Sequence, residues 1–120
     1  MPSRIIVARE LAEIYKVLSH PDRIRLIEEL RAGEVDVNTL HERLDLPASR
    51  VSQHLALLRI HRLVEERREG RHVFYHLTQP ALADWIVGGL TFIEGRMVDQ
   101  SDHRRDVVEV RKLWSTDASA

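Results

Sequence analysis

The chain has 120 residues, a net charge of −1 and no cysteine, and 43% of its residues are hydrophobic. A chain of this length accommodates one domain with a small core. The absence of cysteine excludes disulfides, thiolate nucleophiles, thiol redox chemistry and metal sites that need sulfur. No apolar run reaches the roughly 18 residues of a membrane span and no secretory signal is recognisable, so we expect a cytoplasmic protein.

The N-terminal third of the chain predicts two helices and a short strand. Apolar residues recur at spacings of three and four across residues 4–18, which indicates an amphipathic helix. A second helix is predicted from Pro21 to Gly33, because proline favours a first helical turn and glycine favours a helix end. The alternation at residues 35–37 predicts an edge strand, and Asn38 is the expected cap of a short third helix.

A fourth helix is predicted to begin at Ala48 or Ser49. Val51, Leu55 and Leu58 would bury one face of it, and the opposite face is polar. A short helix, a tight turn and a second helix with small polar residues near its start are typical of a helix-turn-helix, whose second helix enters the major groove of DNA. Side chains of this kind hydrogen-bond base edges and phosphates. The candidate DNA-binding residues are Ser49, Arg50, Ser52, Gln53 and His54.

Residues 64–68 and 72–77 are strand-like runs, and the Glu-Gly-Arg sequence between them predicts a β-hairpin. Directly after a helix-turn-helix, a basic hairpin is interpreted as a wing whose cations contact phosphate or enter the minor groove. An ordinary solvated hairpin is the alternative. The candidate wing residues that bind DNA are Arg67, Arg68, Arg71 and His72.

Charge is concentrated in this part of the chain. Residues 46–79 hold six arginines and three glutamates, a net charge of +3, so the remaining residues carry −4. Four of the seven histidines also lie there, and their protonation would add positive charge under mildly acidic conditions. The distribution favours a nucleic-acid partner, with a solvated charged face as the alternative.

A last long helix is predicted to be capped by Thr78 and opened by Pro80. Its apolar surface is broader than a chain of this length covers internally, and each of its glycines costs about 1 kcal/mol against alanine unless another backbone approaches closely. The alternative is a frayed or kinked helix. A helical continuation is expected over residues 102–114 and a disordered tail over residues 115–120, so that residues 1–114 form a single domain.

Two segments carry a family resemblance: LSHPDRIRLIEEL, and PASRVSQHLALLRIHRLV followed by EGRHVFYHL. They resemble the second helix, the recognition helix and the wing of the ArsR/SmtB family of bacterial winged-helix repressors, and the likeness extends over residues 11–90. It implies a mainly α winged helix-turn-helix with a small β-hairpin, in the order α-α-(β)-α-α-β-β-α. It also implies a homodimer, built mainly from the first and last helices, that binds a two-fold symmetric operator in double-stranded DNA. The expected dimer-interface residues are Leu11, Tyr15, Trp85, Gly89, Leu90, Phe92, Ile93 and Met97.

The sensing residues that usually accompany this resemblance are missing. Cysteine pairs are absent, which removes the family's thiol-based sites for metals, metalloids and redox signals. The family's zinc sensors carry four zinc ligands on the last helix. In this chain the corresponding positions are occupied by four residues that bind zinc poorly. These residues are Gln79, Ala81, Phe92 and Gly95.

One possible metal-binding cluster remains near the C-terminus, where two copies could meet across a dimer to bind zinc, nickel or cobalt. A solvated surface is the simpler interpretation of this cluster, and His20 is interpreted as a helix cap. We therefore predict no metal and no cofactor. The cluster consists of Asp99, Asp102, His103 and Asp106.

The leading hypothesis is a sequence-specific transcriptional repressor that an unidentified, non-thiol effector releases from DNA. A winged helix used as a protein-interaction module is one alternative, and a metal-responsive repressor using residues 99–106 is another. The sequence has no nucleophile elbow, phosphate-binding glycine loop or paired carboxylates on one face, so we do not expect an enzyme.

Overall fold

The computed structural model describes residues 3–96 and 101–118, and the order of its elements confirms the predicted winged helix-turn-helix. The predicted C-terminal continuation forms a separate helix that runs through Ala118, so the helix extends into the segment where a disordered tail was expected. The elements are α1 (Arg4–Val17), α2 (Pro21–Leu30), β1 (Val35–Asp36), α3 (Val37–Leu44), α4 (Ala48–Ile60), β2 (Val64–Glu69), β3 (His72–Leu77), α5 (Ala81–Arg96) and α6 (Ser101–Ala118).

The core lies between α2, α3 and α4 and fixes the orientation of α4. Val51, Leu55 and Leu58 have no solvent exposure, which confirms the predicted inward stripe of α4. They belong to one buried cluster with Leu26 of α2 and Leu40 of α3, which are also fully buried. Each such side chain contributes about 1.5–3 kcal/mol through burial. With this stripe held in the core, the opposite face of α4 is left on the surface.

The three strands form an antiparallel sheet in the order β1-β3-β2. Val64 of β2 pairs with Leu77 of β3, and both side chains are buried at the base of the hairpin. The hairpin ends in a two-residue turn in which Gly70 has a φ of 59°, a left-handed conformation that costs glycine little. The sheet therefore anchors one end of the hairpin in the core and exposes its turn.

Two of the predicted caps are wrong. The cap of α3 is Asp36, whose carboxylate accepts a hydrogen bond of 2.7 Å from the backbone N–H of Thr39. Asn38 instead lies within the first turn of that helix, because β1 ends at Asp36 and α3 begins at the next residue. Thr78 does not cap α5, because that helix begins three residues later, at Ala81; the Thr78 hydroxyl donates to the carbonyl oxygen of Arg62 at 2.7 Å.

We expect Asp36→Ala to lower the free energy of unfolding by about 1 kcal/mol, because it removes the cap at the junction of β1 and α3. Asp36→Ser should retain most of that stability, because its hydroxyl also accepts the backbone hydrogen bond. Urea unfolding followed by circular dichroism measures both values. An equal loss in the two variants would show that the carboxylate acts through its contact with His72, at 3.5 Å, and not as a cap.

The C-terminal helix α6 returns to the core. Trp114 is 3% exposed, and the guanidinium of Arg31, at the end of α2, lies 5.7 Å from the centre of its ring. Val110 packs against the same core from one turn earlier. Among the residues that the structure describes, no helix is long and apolar enough to cross a membrane.

Candidate nucleic-acid interface

The outward face of α4 carries four of the five residues predicted to read DNA. Ser49, Arg50, Ser52 and Gln53 are all exposed, and they occupy the first two turns of the helix. Their hydroxyl, guanidinium and amide groups supply both donors and acceptors. This face is thus available to hydrogen-bond a partner, while the buried stripe behind it holds the helix in place.

The fifth predicted residue, His54, points inward and is not part of this face. Its side chain is 12% exposed, its Nδ1 accepts a hydrogen bond of 3.2 Å from Nε of Arg23, and its Nε2 lies 3.6 Å from Oδ2 of Asp22. Burial, with the neighbouring His20 and Arg23, holds the pKa of His54 below its usual value, so the ring is neutral near pH 7. His54 therefore joins α4 to α2, and its predicted contact with bases is not available in this arrangement.

Arg67 of the wing is engaged by acidic residues of the same chain. Its guanidinium donates to both carboxylate oxygens of Glu34 and, at 2.7 Å, to Glu69. It also lies 4.6 Å from the centre of the Phe74 ring. The hydrogen bonds that Arg67 donates to Glu34 and Glu69 raise the pKa of its guanidinium above the usual value. These contacts hold the wing against the loop before β1. The two carboxylates also neutralise the charge of Arg67, which was predicted to contact DNA.

The other predicted wing residues differ in how freely they could meet a phosphate. Arg71 is exposed at the hairpin turn and forms no hydrogen bond or ion pair with any residue in the described ranges 3–96 and 101–118. Arg68 is 73% exposed, with its Nε 3.7 Å from a carboxylate oxygen of Glu66. His72 is 61% exposed, and its Nδ1 lies 3.5 Å from Asp36. Arg71 is consequently the wing cation that is most available to an anionic partner.

The recognition helix and the wing line a common groove. Ser52 from α4 and both Arg68 and Arg71 from the hairpin lie along a depression of about 290 Å³. Asn38, in the first turn of α3, lines the same depression. Asn38 was predicted only as a cap, although a polar residue at the start of the first helix of a helix-turn-helix is placed to face the same groove.

A second surface, which we call the α1/α5 face, is apolar and exposed. The rings of Tyr15 and Trp85 pack at 5.0 Å between centroids and join α1 to α5. Leu11 and Phe92 are also exposed, Phe92 by 77%, whereas Gly89, Leu90 and Ile93 are partly buried. Met97 lies outside the described residues. Ile6 and Val7 of α1, which are not among the predicted interface residues, are 60% and 54% exposed.

The C-terminal Asp/His cluster falls largely outside what the structure describes. Asp99 lies outside the described residues, and the side chains of Asp102 and His103 are not described. Asp106 is exposed on α6. The metal-responsive alternative that depends on this cluster therefore stays a prediction.

Comparisons with known proteins agree with this geometry. A family model described as bacterial regulatory protein, arsR family, matches residues 20–66. The transcriptional regulator KmtR of Mycobacterium tuberculosis is 42% identical over 77 residues, which span 64% of this chain and 59% of that regulator. The biofilm growth-associated repressor of Xylella fastidiosa is 37% identical over 79 residues, 66% of this chain and 69% of that repressor. The crystal structure of the transcriptional repressor BigR from Xylella fastidiosa superposes with a TM-score of 0.61 and 34% identity, covering 74% of this chain and 88% of that one.

Proposed function

This chain belongs to the arsR family of bacterial regulatory proteins, a family of DNA-binding transcriptional regulators and not of enzymes, and we propose that it represses transcription as a homodimer on a two-fold symmetric operator. The observation that carries the proposal is the position of α4. Its apolar stripe is fully buried, and Ser52 of its polar face lines the same groove as Arg68 and Arg71 of the wing. A helix held in this way presents side chains to the major groove while the wing lies over the adjacent backbone.

Within this proposal the two parts of the interface have different tasks. Ser49, Ser52 and Gln53 read base edges, because hydroxyl and amide groups match the donor and acceptor pattern of the major groove. Arg50 and Arg71 contact phosphates, which contributes affinity that is independent of sequence. A DNA partner supports a cytoplasmic location, which is part of this proposal.

The proposed homodimer forms through the α1/α5 face. Apolar side chains as exposed as Phe92 and Ile6 are covered when two copies meet, and their burial would stabilise the pair. Apart from the backbone of α5 itself and the adjacent residues, a Cβ added at Gly88 or Gly89 would meet no atom of the described residues within 4 Å. Among the described residues no neighbour occupies the space beside these two glycines, and this supports the close approach of a partner helix.

The test of this function is fluorescence anisotropy with DNA from the chain's own promoter region and with random DNA at the same salt concentration. We expect tighter binding to the promoter DNA by roughly a thousandfold or more, the usual margin of a specific regulator. Equal affinity for the two DNAs would overturn the proposal. The signal that releases the protein is proposed to be non-thiol, since the chain has no cysteine.

Arg71→Ala and Arg67→Ala should have opposite effects on DNA binding and stability. Arg71 is unpaired in the described chain, so its loss should lower the slope of log affinity against log salt by about one per protomer and leave the urea midpoint unchanged. Arg67 is neutralised by Glu34 and Glu69, so its loss should lower the urea midpoint and leave the slope unchanged. The reverse pattern would assign the phosphate contact to Arg67.

A further inference from the structure

Two imidazoles and a carboxylate meet where α2 begins. His20 precedes α2, Asp22 lies in its first turn, and His54 reaches them from the inner side of α4. One potential ligand atom from each of the three lies within 4.8 Å of the others. All three side chains are partly buried, with exposures of 42% for His20, 18% for Asp22 and 12% for His54. This group is separate from the Asp/His cluster near the C-terminus.

The spacing of these groups matches the needs of a tetrahedral divalent ion. Bonds of about 2.0–2.2 Å from zinc to nitrogen and oxygen place neighbouring ligand atoms roughly 3.4 Å apart. The Nε2 atom of His54 already lies 3.6 Å from Oδ2 of Asp22, and the rings of His20 and His54 are 4.5 Å apart between centroids. Nδ1 of His20 lies 4.0 Å from the same carboxylate oxygen, and no two of the three ligand atoms are more than 4.8 Å apart, so side-chain rotations that move these atoms by about 1 Å would complete the geometry.

We propose that His20, Asp22 and His54 form a binding site for a zinc-type divalent cation, with water completing the coordination. Two nitrogen donors and one carboxylate are the ligand set that such ions prefer, and the open fourth position suits a partly exposed site. Asp22 supplies the negative charge that offsets part of the charge of the ion.

Arg23 is the natural competitor of the ion. Its Nε donates to Nδ1 of His54, so the proton of that neutral ring lies on Nε2 and faces Asp22. When an ion takes Nε2, the remaining proton moves to Nδ1, which then no longer accepts from Arg23. Binding therefore exchanges the hydrogen bond between Arg23 and His54 for a metal bond, and the guanidinium charge lowers the affinity of the site.

The exchange connects the ion to DNA binding, and this step rests on the proposed function. Arg23 also donates, from Nη1, to the backbone carbonyl of Val17 at 2.7 Å, so it joins the end of α1 to α4. An ion that removes the hydrogen bond to His54 loosens this support of the recognition helix. We expect zinc to lower operator affinity and, by linkage, the operator to lower zinc affinity by the same factor.

The site itself is tested without DNA, by calorimetry with Zn²⁺ and by the visible absorption of Co²⁺. One ion should bind per chain, and His54→Gln and His20→Ser should each weaken it by roughly tenfold or more. These variants preserve the surrounding structure, because the Gln amide oxygen still accepts from Arg23 and the Ser hydroxyl still caps α2 in place of His20 Nδ1. Arg23→Gln should bind the ion roughly tenfold more tightly, because a like charge is removed.

Two histidine variants serve as controls. His76→Gln changes a partly buried wing residue beside Glu65, and His103→Gln changes the C-terminal cluster; both should leave the ion affinity unchanged. Loss of binding in His103→Gln, or the same affinity in His54→Gln as in the unmodified protein, would overturn the proposal, as would no binding of Zn²⁺ at all. Operator affinity that is unchanged by bound Zn²⁺ would overturn only the connection to DNA. Failure to prefer promoter DNA would overturn the proposed function and leave the Co²⁺ result standing.

Discussion

Phe92→Glu should convert the proposed dimer to a monomer and reduce operator affinity by roughly a hundredfold or more. Phe92 is 77% exposed and follows Trp85 and Gly89 at helical spacings along α5, so a partner would surround it. A carboxylate there would have to be buried without a counter-charge. A monomer would then bind each half of the operator independently and lose the gain in effective concentration that joins the two halves.

The oligomeric state is measured by sedimentation velocity, and operator affinity by fluorescence anisotropy. Leu113→Glu is the matched control, because Leu113 is 60% exposed on α6 and lies outside the α1/α5 face. It should remain dimeric with unchanged operator affinity. A dimeric Phe92→Glu would contradict the assignment of this face, and a monomeric protein that retains full operator affinity would contradict the two-fold arrangement on DNA.

The elements of the fold were predictable because they depend on local patterns. Apolar residues at spacings of three and four identified α1, α2 and α4, and the proline and glycine positions marked several of their ends. The stripe of Val51, Leu55 and Leu58 predicted the core that these helices share. All three side chains are completely buried in the structure. The choice of Asp36 over Asn38 as a cap depended on where β1 ends, and that end is set by pairing with β3, a contact between segments that are distant in the sequence.

The inward position of His54 could be predicted from the sequence. Residue 54 follows Val51 by three and precedes Leu58 by four, so helical periodicity places it beside the buried stripe. Its residue type favours a polar contact with DNA, but its position on the helix determines which way the side chain points. A histidine at the edge of a buried stripe finds a polar partner within the protein, which here is Arg23 on α2.

The role of Arg67 was not predictable in the same way. Its partner Glu34 is 33 residues distant in the sequence, and they meet only because β1 joins the sheet beside β3. The alternation of side chains along a strand does show that Arg67 and Arg68 point to opposite faces of the hairpin, so both could not contact the same DNA surface. The sequence indicated a basic wing, and the structure shows which of its cations is neutralised.

Gln53→Ala should weaken binding to operator DNA by roughly 10- to 100-fold and leave binding to random DNA unchanged. Gln53 is exposed in the second turn of α4, where its amide would pair with the two groups that adenine presents in the major groove, a contact worth about 1–3 kcal/mol. Because an exposed side chain is removed, the free energy of unfolding should not change. Anisotropy titrations on both DNAs at one salt concentration measure the two affinities.

Gln79→Ala is the matched control for this prediction, because Gln79 is also an exposed glutamine but lies before α5 and away from the groove. It should leave both affinities unchanged. If Gln53→Ala weakened binding to operator and random DNA equally, Gln53 would contact the backbone and not a base, and the reading of sequence would rest on Ser49 and Ser52. A loss confined to the operator instead establishes that the polar face of α4, held in place by its buried stripe, discriminates between DNA sequences.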